Sequence, residues 1–213
     1  MKSYLKEKIK NILKISKNLK KIINHPTPIF SNSRKGIKLH LGSGEINLQG
    51  WIDVDAKEGM HIHITEKDFK LDYFANNSIS EIYLCHVLEH FTSNEIKELM
   101  SIFRKKLING GILRVSVPDF DSIIDIYNSG DKKIEKIHPI LFGGQDNIYN
   151  HHKSAFNKSK LIKIFDEFDF ENIQEWDTKK IFGSSIGDYS DQFIKVKNKK
   201  IPISLNICGE LLN

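Results

Sequence analysis

The feature that most constrains this chain is an alternation of strand-length and helix-length patterns. Apolar runs at residues 37–41, 51–54, 62–64, 82–85 and 112–117 are each short and rich in β-branched side chains, which is how strands read. Between the last two the period changes. Thr92 followed three residues later by Glu95 forms a capping box, and Ile96, Leu99, Met100, Phe103 and Leu107 then fall on one helical face. Asn109, Gly110 and Gly111 read as the end of that helix. A second helix is predicted after Asn157, with Leu161, Ile164, Phe165 and Phe168 on its buried face, followed by strands near residues 173–176 and 203–207. Strands that alternate with helices form a mostly parallel sheet covered on both faces, so the fold class expected is α/β.

At 213 residues the chain holds one such domain with a full core. A segment at residues 1–28 stands apart from the domain at residues 29–213. In it Leu5, Ile9, Ile12, Ser16, Leu19 and Ile23 recur at helical spacing among lysines, and Pro26 and Pro28 end the pattern. The expected amphipathic helix has two readings: packing on the domain or a second copy through residues 2–23, or peripheral contact with an anionic inner membrane face. The first 25 residues carry eight lysines against one glutamate, more than the net charge of +5 for the whole chain. The remainder is therefore slightly negative, and nucleic acid is not an expected partner. Cys85 and Cys208 are far apart in apolar runs and read as reduced core residues. No apolar signal segment with a cleavage site is visible, so a cytoplasmic address is expected.

Chemistry concentrates at strand ends. The first strand runs into Gly42, Ser43 and Gly44, a turn in which the backbone can approach a ligand closely. A dinucleotide fold would place a third glycine where Asn47 stands, which argues against NAD. Asp53 and Asp55 share a face of the second strand, and Asp55, at its carboxyl end, is suited to accept hydrogen bonds from vicinal ribose hydroxyls. The fourth strand leads into His86, Val87, Leu88, Glu89, His90 and Phe91. These residues also spell HxxEH, an inverted zinc-peptidase signature. That signature belongs inside a helix, whereas here it starts at a strand end behind a glycine turn, so no metal is assigned.

The string HVLEHF after an apolar strand, the earlier GxG turn, the acidic second-strand end and GGILRVSVPDF as fifth strand resemble the class I S-adenosylmethionine-dependent methyltransferases. More narrowly, the chain is similar to small methyltransferases of bacterial capsule and lipopolysaccharide biosynthesis over about residues 36–210. The resemblance implies a Rossmann-like methyltransferase fold with a mostly parallel seven-stranded sheet, the last strand antiparallel. It implies S-adenosyl-L-methionine as cofactor, with Gly42, Ser43 and Gly44 around its methionine end, Asp55 on the ribose, and Cys85 and His86 beside the methionine moiety. Adenine would meet a polar residue after the third strand, for which Asp68 is chosen over Thr65 or Asp72. Eleven positions separate Gly44 from Asp55, so the family's intervening helix must shrink to a turn.

The long stretch from Asp131 to Phe156 has little regular pattern and reads as a substrate loop, since loops of that length in a compact domain are usually functional. His152 within it is the first candidate for a general base, and Asp119 the second. The function expected is O-methylation of a surface-polysaccharide precursor, a small-molecule or sugar-nucleotide acceptor. Methylation of RNA, protein or a lipid-linked acceptor, and a catalytically silent docking protein, are the alternatives.

Overall fold

The computed structural model describes residues 36–212. The basic N-terminal helix expected at residues 2–23 lies outside them, as does the boundary at residue 28. Among the described residues no helix is long and apolar enough to cross a membrane.

Strands β1 (Ile37–Leu41), β2 (Ile52–Asp55), β3 (Ile64–Thr65), β4 (Ile79–Cys85), β5 (Leu107–Pro118), β6 (Phe170–Glu175) and β9 (Ser204–Leu211) form one seven-stranded sheet in the order β3-β2-β1-β4-β5-β9-β6. The neighbours from β3 through β5 pair in parallel, whereas β9 runs antiparallel to both β5 and β6. β7 (Phe193–Val196) and β8 (Lys199–Pro202) make a separate hairpin.

Strand alternation divides the core in two. Ile82 and Leu84 of β4 face the main cluster, where α1 (Ser93–Lys106) contributes Leu99, Met100 and Phe103 and α4 (Lys158–Glu167) contributes Leu161 and Phe165. Tyr83 and Cys85 face the other way, into a second cluster with Trp51, Trp176 and Cys208 and the short α5 (Thr178–Phe182). α2 (Phe120–Ser129) and α3 (Ile134–Phe142) join the hairpin through Ile123, Ile126, Ile137 and Ile201.

Three expectations change. α1 stops at Lys106 and the chain enters β5 at Leu107, so Gly110 and Gly111 lie inside a strand and do not end the helix. The stretch from Asp131 to Phe156 carries α3, and only its second half is irregular. α2 follows Pro118 directly, capped by Asp119, whose carboxylate accepts from Asp121 N–H at 3.2 Å. Between β1 and β2 the chain makes only turns, as the short spacing predicts.

Candidate functional site

The carboxyl ends of β1 to β4 open into one cleft of about 640 Å³, a size typical of small-molecule and cofactor sites. It forms where the crossovers leave strand ends uncovered, on the two sides of the point at which strand order reverses.

Gly42 and Gly44 line the cleft, with φ of +65° and +54°. A Cβ on Gly42 would stand 2.3 Å from Val87 Cγ2, so that glycine lets the turn pack on the segment after β4. A Cβ on Gly44 would meet nothing within 4 Å, and the backbone there is open to the cleft. Asp55 ties the two strand ends together. Its Oδ2 accepts from Gly44 N–H at 2.9 Å and its Oδ1 from Lys57 N–H at 2.8 Å. Asp68 also lines the cleft, whereas Thr65 and Asp72 do not. Ile62, Phe69 and Phe91 supply apolar wall.

His86 is brought to the same cleft by a left-handed backbone, φ +53°, immediately after β4. Its Nε2 meets Ser204 Oγ at 2.8 Å. The following residues make a single 3-10 turn, Leu88–His90, which buries Glu89 and leaves His90 on the cleft wall. The segment after α3 is pinned to this turn, because the Glu89 carbonyl accepts from Lys153 N–H at 2.7 Å and from Ser154 N–H at 3.1 Å. His152 is placed behind His90, their ring centroids 4.9 Å apart.

This histidine and acid group is electrostatically unusual. Burial pushes the Glu89 carboxyl up to about 8. Burial, reinforced by the facing His152, pulls His86 down to about 3, and burial with His90 pulls His152 down to about 4. All three shifts favour neutral forms, so the 3.6 Å and 3.9 Å approaches of His86 and His152 to Glu89 are not ion pairs.

The structure thus gathers Gly42, Gly44, Asp55, Asp68 and His86 around one space and leaves four expected residues outside it. Ser43 turns into the protein and is 3% exposed. Cys85, the last residue of β4, shares a strand face with Tyr83 and packs in the second cluster against Tyr83 and Trp176. Asp119 is occupied as the cap of α2, where it also accepts from Ser122 Oγ at 2.8 Å, and it borders a different, smaller depression. His152 does not line the cleft, since His90 stands in front of it. Sequence reasoning missed His90, Lys67 and Lys153 as cleft residues, whereas Tyr149 lies on the expected substrate loop. Lys67 Nζ reaches Tyr149 Oη at 2.5 Å, joining segments that nothing in the sequence pairs.

No family model matches the chain, and no curated protein matches it by sequence. Solved structures do match. A SAM-dependent methyltransferase from Archaeoglobus fulgidus superposes with a TM-score of 0.51 at 15% identity over 94% of this chain and 93% of its own. A SAM-dependent methyltransferase from Thermotoga maritima gives 0.51 at 14% identity over 98% and 96%. A Bordetella parapertussis protein described as a possible exported protein gives 0.53 at 10% identity over 84% and 63%. The fold is the Rossmann-like fold of the SAM-dependent methyltransferases.

Proposed function

We propose that this chain is an S-adenosylmethionine-dependent methyltransferase acting on a hydroxyl of a surface-polysaccharide precursor. The observation that carries the enzyme reading is the Gly44 to Asp55 link, which sets an open glycine backbone beside a carboxylate at adjacent strand ends. The residues fit the cofactor. Asp55 retains lone pairs for ribose hydroxyls after its two amide bonds, and charge-assisted bonds of this kind contribute about 1.5–3 kcal/mol each. The Gly42 to Gly44 turn and His86 would border the methionine end, and Asp68, beside the apolar wall of Ile62 and Phe69, the adenine.

When bound, the cofactor supplies an electrophilic methyl group on a sulfonium. What the chain supplies is position: an acceptor oxygen held in line with that methyl gains most of its acceleration from orientation. His86 and His90 flank the cleft where the acceptor would enter, and what they supply there is its orientation. For the acceptor class, the support is the cleft rim. Glu45 and Glu58 can accept from sugar hydroxyls, Lys67 and Lys153 can meet a phosphate, and Tyr149, 40% exposed, offers a ring for a sugar to stack on. Localisation in the cytoplasm, with contact to the inner membrane face through residues 2–23, belongs to the same proposal.

Calorimetry with S-adenosylmethionine tests the cofactor, and screening nucleotide sugars and capsule precursors for S-adenosylhomocysteine release tests the acceptor. Micromolar cofactor binding with turnover on one sugar acceptor is expected. A folded protein that does not bind the cofactor would overturn the enzyme reading, and turnover only on RNA, protein or a lipid-linked acceptor would overturn the substrate class.

A further inference from the structure

Behind this cleft lies a buried acid, Glu89, that the protein leaves unanswered. The residue is 1% exposed, and neither carboxyl oxygen has a hydrogen-bond partner. Buried acids are ordinarily hydrogen-bonded, paired or coordinated to a metal. Three imidazoles stand around it. His86 Nδ1 lies 3.6 Å and His152 Nε2 3.9 Å from Oε1, and one ligand atom each from Glu89, His90 and His152 falls within 4.8 Å of the others.

The hydrogen bonds assign what two of those rings present. Ser204 Oγ gives its single hydrogen to the Tyr189 carbonyl at 2.7 Å, so at 2.8 Å it accepts from His86 Nε2–H. The nitrogen of His86 that faces Glu89, Nδ1, is therefore bare. His90 Nδ1 meets the carbonyl of His151 at 3.2 Å and must donate to it, which leaves its Nε2 unprotonated. At 3.6 and 3.9 Å the imidazole nitrogens and the Glu89 carboxyl are too far apart to hydrogen-bond to one another; once a metal ion displaces the carboxyl proton, their lone pairs converge on it.

We propose that Glu89, His90 and His152 bind one divalent transition-metal ion of the Zn2+ type, with His86 Nδ1 at its side. Two imidazoles and one carboxylate suit such an ion better than Mg2+ or Ca2+, which prefer oxygen ligands. Bonds of ~2.1 Å to a tetrahedral ion separate ligand atoms by about 3.4 Å, so donors that lie within 4.8 Å of one another close on the ion by side-chain rotation. The His151 carbonyl behind His90 is the outer partner that orients a metal-ligating histidine. The frame is already fixed, because Lys153 and Ser154 N–H both hold the Glu89 carbonyl and so lock the His152 segment against the Leu88–His90 turn. His86 and His90 line the cleft, so the remaining coordination position faces it. There the ion would hold and acidify an acceptor hydroxyl; that role rests on the methyltransferase reading, whereas the binding does not. The HxxEH string gives this site two of its ligands, Glu89 and His90, and the third comes from a distant loop.

The full chain, stripped of metal and carrying no histidine tag, is titrated with Zn2+ by calorimetry and with Co2+ by visible absorption, without cofactor. One equivalent is expected to bind, with Co2+ giving the intense bands of a tetrahedral site. Glu89→Gln and His152→Ala should each weaken binding at least ~100-fold. His138→Ala, whose ring packs on Phe142 outside the cluster, should leave it unchanged. Circular dichroism reports whether each variant folds, and His90→Gln provides the same comparison if another does not. Failure of the wild-type chain to take up one equivalent, or equal affinity in every folded variant, overturns the site. Cofactor binding by the metal-free chain is read separately, so the two proposals stand or fall apart.

Discussion

The Asp55 carboxylate is shared between the amides of Gly44 and Lys57, so it shapes the turn as well as offering itself to a ligand. Asp55→Ala removes both bonds, and the cofactor affinity read by calorimetry should fall at least ~10-fold. The two glycines separate under substitution. Gly42→Ala drives a Cβ to 2.3 Å from Val87 Cγ2 on a left-handed backbone and should lower the unfolding free energy by roughly 2–3 kcal/mol. Gly44→Ala meets open space and should lose only about 1 kcal/mol, both measured by urea denaturation. Glu66 gives a pH signature. Burial, with Asp72 and Asp68 nearby, holds its carboxyl above the ordinary value of 4.5 despite an amide bond from Leu71. The folded chain thus keeps a proton that the unfolded chain has lost, and stability falls as pH rises from 4.5 through the folded value. Glu66→Gln, which keeps the oxygen that Leu71 bonds, should therefore be more stable than wild type at neutral pH, with the gain vanishing below about pH 4.5.

At the scale of elements, α1 is the best-specified piece of the molecule. Thr92 Oγ1 accepts from Glu95 N–H at 3.4 Å while Glu95 Oε2 accepts from Thr92 N–H at 2.6 Å. Thr92→Ala should reduce stability by about 1 kcal/mol in thermal unfolding. This helix and the β-branched strands were legible because their signals are local: a cap, a stripe, an apolar run. What was not legible depends on context. Gly110 and Gly111 look like a helix terminus, yet pairing with β9, Gly111 opposite Leu211, draws them into β5. α2 was hidden because Asp119 reads equally as a strand-end ligand and as a helix cap, and only the fold shows which bond it makes. The β7 and β8 hairpin, rich in lysine, has too little apolar alternation to stand out. Cys85 was misplaced by a single step of strand parity, since His86 leaves the strand on a left-handed turn that no pattern marks.

Over the whole molecule, the site is assembled from segments that only topology brings together. The glycine turn and the acid at the end of β2 could be read as partners because a glycine turn after one strand and an acid at the end of the next form a familiar pair, although the spacing between them is short. The contact of His152 with Glu89 could not, because it depends on how the chain after α3 folds back over the Leu88–His90 turn. The same dependence on distant pairing governs stability. Ile207 is fully buried in β9, opposite Val115 of β5 and Glu175 of β6. Ile207→Ala should lower the unfolding free energy by about 2–5 kcal/mol in denaturant titration, the range for a truncated core aliphatic.

β9 is also an interior strand, inserted between β5 and β6 although residues 204–211 are synthesised after both. On the ribosome, the facing edges of those two strands stay unpaired until residues 204–211 have emerged, and bare edges invite wrong partners. Assembly of this sheet is therefore completed by a keystone strand, and a nascent chain stalled before residue 204 should be far more prone to clump or be degraded than one in which residue 211 has emerged.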